Sequence, residues 1–292
     1  MALLWNGVVD GILMGSVYAL MASGLTLIFG VMNIISVAQG IFVILGAYFS
    51  YSLEQSAGIG LFPGLLITIP ALFLIGIGVE WAFIRRLRTS DRVPMSILVT
   101  YAVALVVEGV LNIVYGTQDT ELHASFLNTS VDILGAHATD IALYGFALAI
   151  GVLSLFFYML YRTRFGASVR AIVQDRTAAL LLGVDVKRVS TIVFGLGTAA
   201  TAAGGMIFGA TVPFNANSAE DLISRLLIVV VLGGLGSMAG AFIASIFMLV
   251  VEDVISAVWN PDWSTLVFFC LMAVVLSLRP IGFLGKAEVR TE

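Results

Sequence analysis

Apolar stretches follow one another along almost the whole chain, separated by short polar intervals. Seven of them lie at roughly 8–30, 33–52, 62–84, 93–115, 141–161, 189–212 and 263–279. Each reaches or approaches the about 20 apolar residues a helix needs to cross a bilayer. A further region, 222–258, is apolar but broken by Gly233-Gly234-Leu235-Gly236-Ser237-Met238-Ala239-Gly240. The piece ahead of that run is short, which reads as a half-helix or re-entrant segment. Lipid tolerates such a break only where protein covers the freed backbone. The pattern predicts an all-α polytopic membrane protein, with eight or nine transmembrane or re-entrant helices in one transmembrane domain over 1–292. No interval between the stretches is long enough to fold alone. The longest, 116–140, has room for a short helix or hairpin forming a lid.

Composition points the same way. The chain has 292 residues, 60% of them hydrophobic and 11% charged, with a mean hydropathy of +1.07. A soluble domain carries about 25% charged residues, so most of this polypeptide belongs in lipid. No Lys or Arg precedes the first apolar stretch, which is therefore read as a retained span and not a cleaved leader. A net charge of -4 gives no basis for a nucleic-acid partner. Cys270 is the one cysteine, so no intramolecular disulfide forms.

The basic residues fix an orientation. Every Lys and Arg except Arg225 falls in three clusters: Arg85, Arg86, Arg88 and Arg92; then Arg162, Arg164, Arg170, Arg176, Lys187 and Arg188; then Arg279, Lys286 and Arg290. Counting spans puts all three on one side, which the positive-inside rule makes cytoplasmic. The C-terminus is then inside and the N-terminus outside. The interval 116–140 holds Asp119, Glu121, His123, Asp132, His137 and Asp140 without Lys or Arg, and parity puts it outside with 213–224 and 258–262.

The cytoplasmic segment 162–188 is the most informative. From Ser168, a suitable N-cap, it reads as a helix with Val169, Ile172, Val173 and Arg176 on one face. Arg170, Gln174 and Asp175 fall towards the other, and Gly183 is placed to stop the helix after Thr177–Leu182. An amphipathic helix between two spans either docks into a groove on a soluble partner or lies on the anionic inner leaflet.

Thr177-Ala178-Ala179-Leu180-Leu181-Leu182-Gly183 resembles the Glu-Ala-Ala-x3-Gly loop by which importer permeases of ABC systems engage their ATPases, with Thr177 in place of the glutamate. Other segments resemble the branched-chain amino acid permease family, specifically its smaller, H-type subunit. They are the run from Ser23 through Asn33, Ala38-Gln39-Gly40, Leu45-Gly46-Ala47-Tyr48, Arg170 to Arg176, Val231 to Ser237, and Arg279-Pro280-Ile281-Gly282. The resemblance is collinear from about residue 8 to 285. It implies the fold of the branched-chain amino acid and ribose permeases and a place in the bacterial inner membrane. It also implies a related second permease, two cytoplasmic ATPases that carry the ATP and Mg, and a periplasmic solute-binding protein. Relatives read Asn-x-x-x-Ala-His-Gly followed by an acid, where this chain has Gln39, Gly40 and Ile41; a different solute preference is the implication.

Within the spans, Asn33 and Gln39 either line a solute path or hold helices together by hydrogen bonds. Gly24, Gly30, Gly40 and Gly46 suit close packing or unwinding. Glu108 lies well inside the fourth span, where a charge costs about 2.5–3.5 kcal/mol on insertion scales; it is protonated, paired or facing water. Glu80 is placed to pair with Arg85 or Arg86, and Glu252 and Asp253 to be solvated at an outer helix end. Gly233, Gly234 and Gly236 lack a following Lys-Ser/Thr, so they form no nucleotide-binding loop and are read as a flexible crossing that gates a cavity. His123 and His137 are spaced too far apart for a local helical metal site, and no Ser/His/Asp grouping is present. The sequence thus points to a non-catalytic, metal-free permease subunit. An ATPase-independent secondary transporter or channel using Glu108 is the alternative.

Overall fold

The computed structural model describes residues 2–87, 92–122, 130–133, 136–259, 261–279 and 282–285. The chain is built from helices α1 (Ala2–Met32), α2 (Gln39–Ala57), α3 (Leu61–Ala82, continued by a 3-10 turn at Ile84–Arg86) and α4 (Arg92–Tyr115). After a hairpin of β1 (Ser130–Ile133) and β2 (Ala136–Thr139) come α5 (Asp140–Arg162), α6 (Arg164–Gln174) and α7 (Arg176–Leu181). Then follow α8 (Val186–Thr211), α9 (Ser218–Gly233), α10 (Met238–Val258) and α11 (Pro261–Leu278).

Six of the described helices, α1, α3, α4, α5, α8 and α10, are long and apolar enough to cross a membrane, which makes this a multi-pass membrane protein. The expected spans fall on helices, with three corrections. The second helix begins at Gln39, not at 33. The piece ahead of the glycine run is a 16-residue helix, α9, because polar Ser218, Glu220 and Asp221 form its first turn. The all-α expectation also meets an exception in the antiparallel β1–β2 hairpin, which pairs Ser130 with Thr139 and Ile133 with Ala136. A single bridge between Thr120 and Phe214 ties the start of the same connection to the loop after α8.

Small residues decide which helices touch. A Cβ on Gly24 would stand 2.3 Å from the Gly197 carbonyl oxygen, on Gly46 2.7 Å from Ala202 Cα, and on Gly205 2.1 Å from the Val43 carbonyl oxygen. These contacts press the backbones of α1 and α2 onto α8. Along α1, Gly7, Gly11 and Gly15 recur every four residues and meet Asp253, Val250 and Ile246 of α10, the small-xxx-small pattern of packed membrane helices. The result is a bundle centred on α1 and α8. The apolar window of α8 is 89% buried, that of α4 only 17%, so α4 stands at the rim.

The link between α1 and α2 runs inside the bundle. Asn33 ends α1 in the left-handed region (φ 51), a conformation asparagine tolerates better than most residues, and its N–H donates to the Phe29 carbonyl at 2.8 Å. Ile34, Ser36 and Ala38 are fully buried. Hydroxyls of α4 satisfy the opened backbone: Thr100 Oγ1 accepts from the Val37 N–H at 3.0 Å, and Ser96 Oγ reaches the Ile35 carbonyl at 3.5 Å. α2 then follows the C-terminal half of α8, with Val43 beside Gly205 and Ala47 beside Gly209. The first turn of α9 sits on Gly40 through Ala219 and Ile223. Two helices therefore start side by side within the bundle and leave in opposite directions.

Gly205→Val is expected to destabilise the purified protein by at least the about 1–3 kcal/mol typical of overpacking, read as a lowered Tm in detergent. Gly78→Ala, where an added Cβ meets nothing within 4 Å, is expected to leave Tm unchanged.

Candidate functional site

The segment between α5 and α8 is an elbow of two helices and not the single expected one. α6 starts at Arg164, capped by Thr163 Oγ1, which accepts from the Gly166 N–H at 3.1 Å. Ser168 is inside the helix and its hydroxyl turns back to the Arg164 carbonyl, so it is no N-cap. The chain breaks at Asp175, which adopts an extended conformation (φ -154, ψ 108). Its Oδ1 caps α7 by accepting from the N–H groups of Thr177 at 2.8 Å and Ala178 at 3.0 Å. Gly183 ends α7 in the left-handed region (φ 84), as its position in the sequence implies, and the Val184 N–H donates to the Ala179 carbonyl at 3.0 Å.

Val169, Ile172 and Ala179 are the buried anchors of the elbow. Val173, expected beside them, is exposed, because α6 turns its Val169–Ile172 edge inward. Arg170 is held by the Leu160 carbonyl and lies over the Tyr161 ring. Gln174, Thr177 and Ala178 are exposed, and Arg176 is half-buried. Beyond them the elbow carries an unexpected apolar tip, with Leu181 85% and Leu182 83% exposed. Three leucines ahead of a glycine in a charged stretch are the signal for it.

The second group of polar residues lies along the spans. Glu108 shares a small cavity with Val37, Ile41, Tyr101, Glu220 and Ile223. It therefore faces the paired starts of α2 and α9. One helical turn on, Asn112 donates to Asn217 Oδ1 at 3.3 Å. Glu220 and Ser224 continue the polar line along α9, both exposed. Gln39 begins the same helix start but points elsewhere: it is fully buried and accepts from Thr201 Oγ1 of α8 at 2.6 Å. Its Nε2 has no hydrogen-bond partner among the described residues. Gly40 serves the close α2–α9 contact. Asn33 is exposed and does not join this group. His123 lies outside the described residues, as do Arg88, Lys286 and Arg290; of His137 only its place in β2 is described.

Two carboxylates are placed differently from what the sequence suggests. Glu80 is buried and accepts from Thr191 Oγ1 at 2.7 Å, because α3 turns it towards α8 and away from the exposed Arg85 and Arg86. Glu252 is buried on α10 and bonds Arg225 of α9 at 2.5 Å, while the Arg225 guanidinium lies over the Phe268 ring of α11. The isolated arginine of the sequence is thus the centre of a three-helix knot.

Gly233, Gly234 and Gly236 sit at the far end of α9 from the cavity. A Cβ on Gly240 would lie 1.9 Å from the Gly233 carbonyl oxygen, and Gly234 (φ 96) touches the backbone of Gly285. The Phe283 and Leu284 N–H groups donate to the carbonyls of Leu232 at 2.7 Å and Gly233 at 3.1 Å. The run is a hydrogen-bonded turn in which Gly233 and Gly234 are buried while Leu235 and Gly236 are exposed.

Glu252→Ala leaves the half-buried Arg225 without its counter-ion and is expected to cost about 1–3 kcal/mol. The double replacement Arg225→Met with Glu252→Met is expected to cost less than either single change. Thermal denaturation of Glu252→Ala, of Arg225→Met and Glu252→Met singly, and of the double variant in detergent checks the order.

A family model described as branched-chain amino acid transport system / permease component matches residues 7–276. The chain is 26% identical to the high-affinity branched-chain amino acid transport system permease protein LivH of Salmonella typhimurium, over 96% of this chain and 95% of that protein. It is equally 26% identical to BraD of Pseudomonas aeruginosa, a permease protein of the same description, with the same coverage. The permease protein LivM of Salmonella typhimurium matches at 26% identity over 96% of this chain but 70% of its own length. The length thus agrees with the LivH type. No solved structure matches. With nearly all its membrane helices inside the matched region, the chain belongs to the family of branched-chain amino acid transport permease components.

Proposed function

We propose that this chain is a permease subunit of an ATP-driven importer for branched-chain or other hydrophobic amino acids or related small solutes. It forms one wall of the solute path as a single transmembrane domain in the bacterial inner membrane, with 162–188 as its coupling segment. A related second permease supplies the other wall. Two cytoplasmic ATPases carry ATP and Mg, a periplasmic protein delivers the solute, and this chain holds no cofactor and performs no catalysis.

The observation that carries the reading is the elbow α6–α7. Outside the spans, a leucine tip at Leu181 and Leu182 stands exposed on a rigidly capped turn. Such a knob fits a groove on a soluble partner. The positive clusters support a cytoplasmic place for it. The reading counts α2, α9 and α11 with the six long helices as nine membrane segments, with the N-terminus in the periplasm and the C-terminus in the cytoplasm.

The path wall is the polar line of Tyr101, Glu108 and Asn112 on α4 with Asn217 just ahead of α9 and Glu220 and Ser224 on it. Carboxylates and amides are costly against lipid, and a water-filled path shared with the second permease removes that cost. Motion of the elbow reaches this wall through α8, whose Thr201 holds Gln39 at the start of α2. Two packings of α2 on α8 then give the two access states. Ile41 lines the cavity beside Glu108, so its replacement of the relatives' acid is placed to change solute preference.

Leu181→Asp, or Gly183→Leu, which forces a branched residue into the left-handed region at a cost of about 1–2 kcal/mol, is expected to abolish solute-stimulated ATP hydrolysis and uptake. The amount of permease in the membrane is expected to stay unchanged. Proteoliposomes holding the complete complex provide the measurement. Full uptake by either variant, or by the chain reconstituted without ATPases, overturns the proposal and favours a secondary transporter driven through Glu108.

A further inference from the structure

A second cleft, of about 450 Å³, opens where α3 ends and α8 begins, lined by Arg85, Asp185, Lys187, Arg188, Thr191 and Ile192. It lies at the membrane–water boundary, because Arg85 closes one apolar span and Lys187 opens another. Three cations meet there. Asp185 is occupied: it pairs with Arg188 at 2.9 Å and caps α8 by accepting from the Arg188 N–H at 3.1 Å. Glu80, the other carboxylate nearby, is buried and held by the Thr191 hydroxyl. Among the described residues, neither Arg85 nor Lys187 has a carboxylate within ion-pair distance.

The surroundings separate this cleft from an ordinary basic surface. Trp81, in the last turn of α3 and four residues before Arg85, is exposed, as are Phe83 and Ile192. Exposed tryptophan at a span end is the usual residue at headgroup depth. The profile is thus unneutralised cations above and exposed apolar side chains below. A soluble anion has no use for the apolar flank, and a soluble protein partner does not reach below headgroup depth.

We propose that this cleft holds the phosphate of an anionic phospholipid, with Arg85 and Lys187 as its principal ligands and the acyl chains lying along Trp81 and Ile192. Basic pockets between helices at the membrane surface are suited to such headgroups. Bound there, the lipid bridges α3 to α8, the helix that leads out of the elbow. The inference stands on the membrane-spanning fold and does not depend on the identity of the transported solute.

The test uses the full-length permease in nanodiscs of mixed phosphatidylglycerol and phosphatidylcholine, with co-purified lipid read by native mass spectrometry. Wild type is expected to retain phosphatidylglycerol several-fold over phosphatidylcholine. Arg85→Gln with Lys187→Gln is expected to bring the ratio close to parity. The single change Arg164→Gln, which removes an exposed cation elsewhere, is expected to leave the ratio at its wild-type value. Unaltered size-exclusion profiles establish that the variants are folded. Parity in wild type overturns the proposal, as does an unchanged preference in the double variant. Displacement of the lipid by millimolar glycerol phosphate as effectively as by phosphatidylglycerol marks a free-anion site and also overturns it. A double variant that keeps its lipid but loses a co-purifying protein subunit marks a protein contact, which overturns it equally.

Discussion

Helices in a bilayer gain nothing from apolarity alone, since lipid tails are as apolar as leucine; what holds them together is how closely their backbones approach. This chain meets that constraint with glycine and alanine along α1, α2 and α8, where Gly24, Gly46 and Gly205 leave no room for a side chain. The positions of the elbow and of Gln39 follow from this contact. α8 becomes the common strut: its beginning receives the elbow, its middle holds Gln39 through Thr201, and its last turns support α2. α4 makes no such close approach and is left at the rim, with most of its apolar surface uncovered.

A related constraint governs the irregular backbone. A peptide group freed from a helix inside the membrane needs a partner from the protein. The 33–38 link finds it in the hydroxyls of Ser96 and Thr100, two polar residues at helical spacing on an otherwise apolar helix. That choice fixes α4 against the link, and with it the cavity that Glu108 shares with the start of α2. The knot of Arg225, Glu252 and Phe268 does for charge what these hydroxyls do for the backbone, and it holds α9 in register with α10 and α11.

Much of this is legible in the sequence. Long apolar runs mark the spans, the glycine run marks the break between α9 and α10, and Gly183 marks the end of the elbow. These signals are local: a helix of given length, or a residue that only a left-handed turn requires. The features that escape are those set by a distant partner. Glu80 reads as a partner of neighbouring arginines, because Thr191 is far away in the chain. Glu252 reads as solvated, because Arg225 belongs to another helix. The break at Asp175 is hidden for a different reason: Asp is tolerated within a helix, and only its extended backbone reveals that it caps the next one. The apolar tip of the elbow is readable in composition, but its exposure depends on which face the bundle covers.

The turn between α9 and α10 has a consequence for biogenesis. Two of its carbonyls, those of Leu232 and Gly233, are satisfied by amides of Phe283 and Leu284, residues that leave the ribosome after the whole of α10 and α11. Until those residues are made, the two carbonyls lack the partners they have in the finished bundle. The late segment acts as a clasp, and the hairpin of α9 and α10 reaches its mature state only when that clasp arrives.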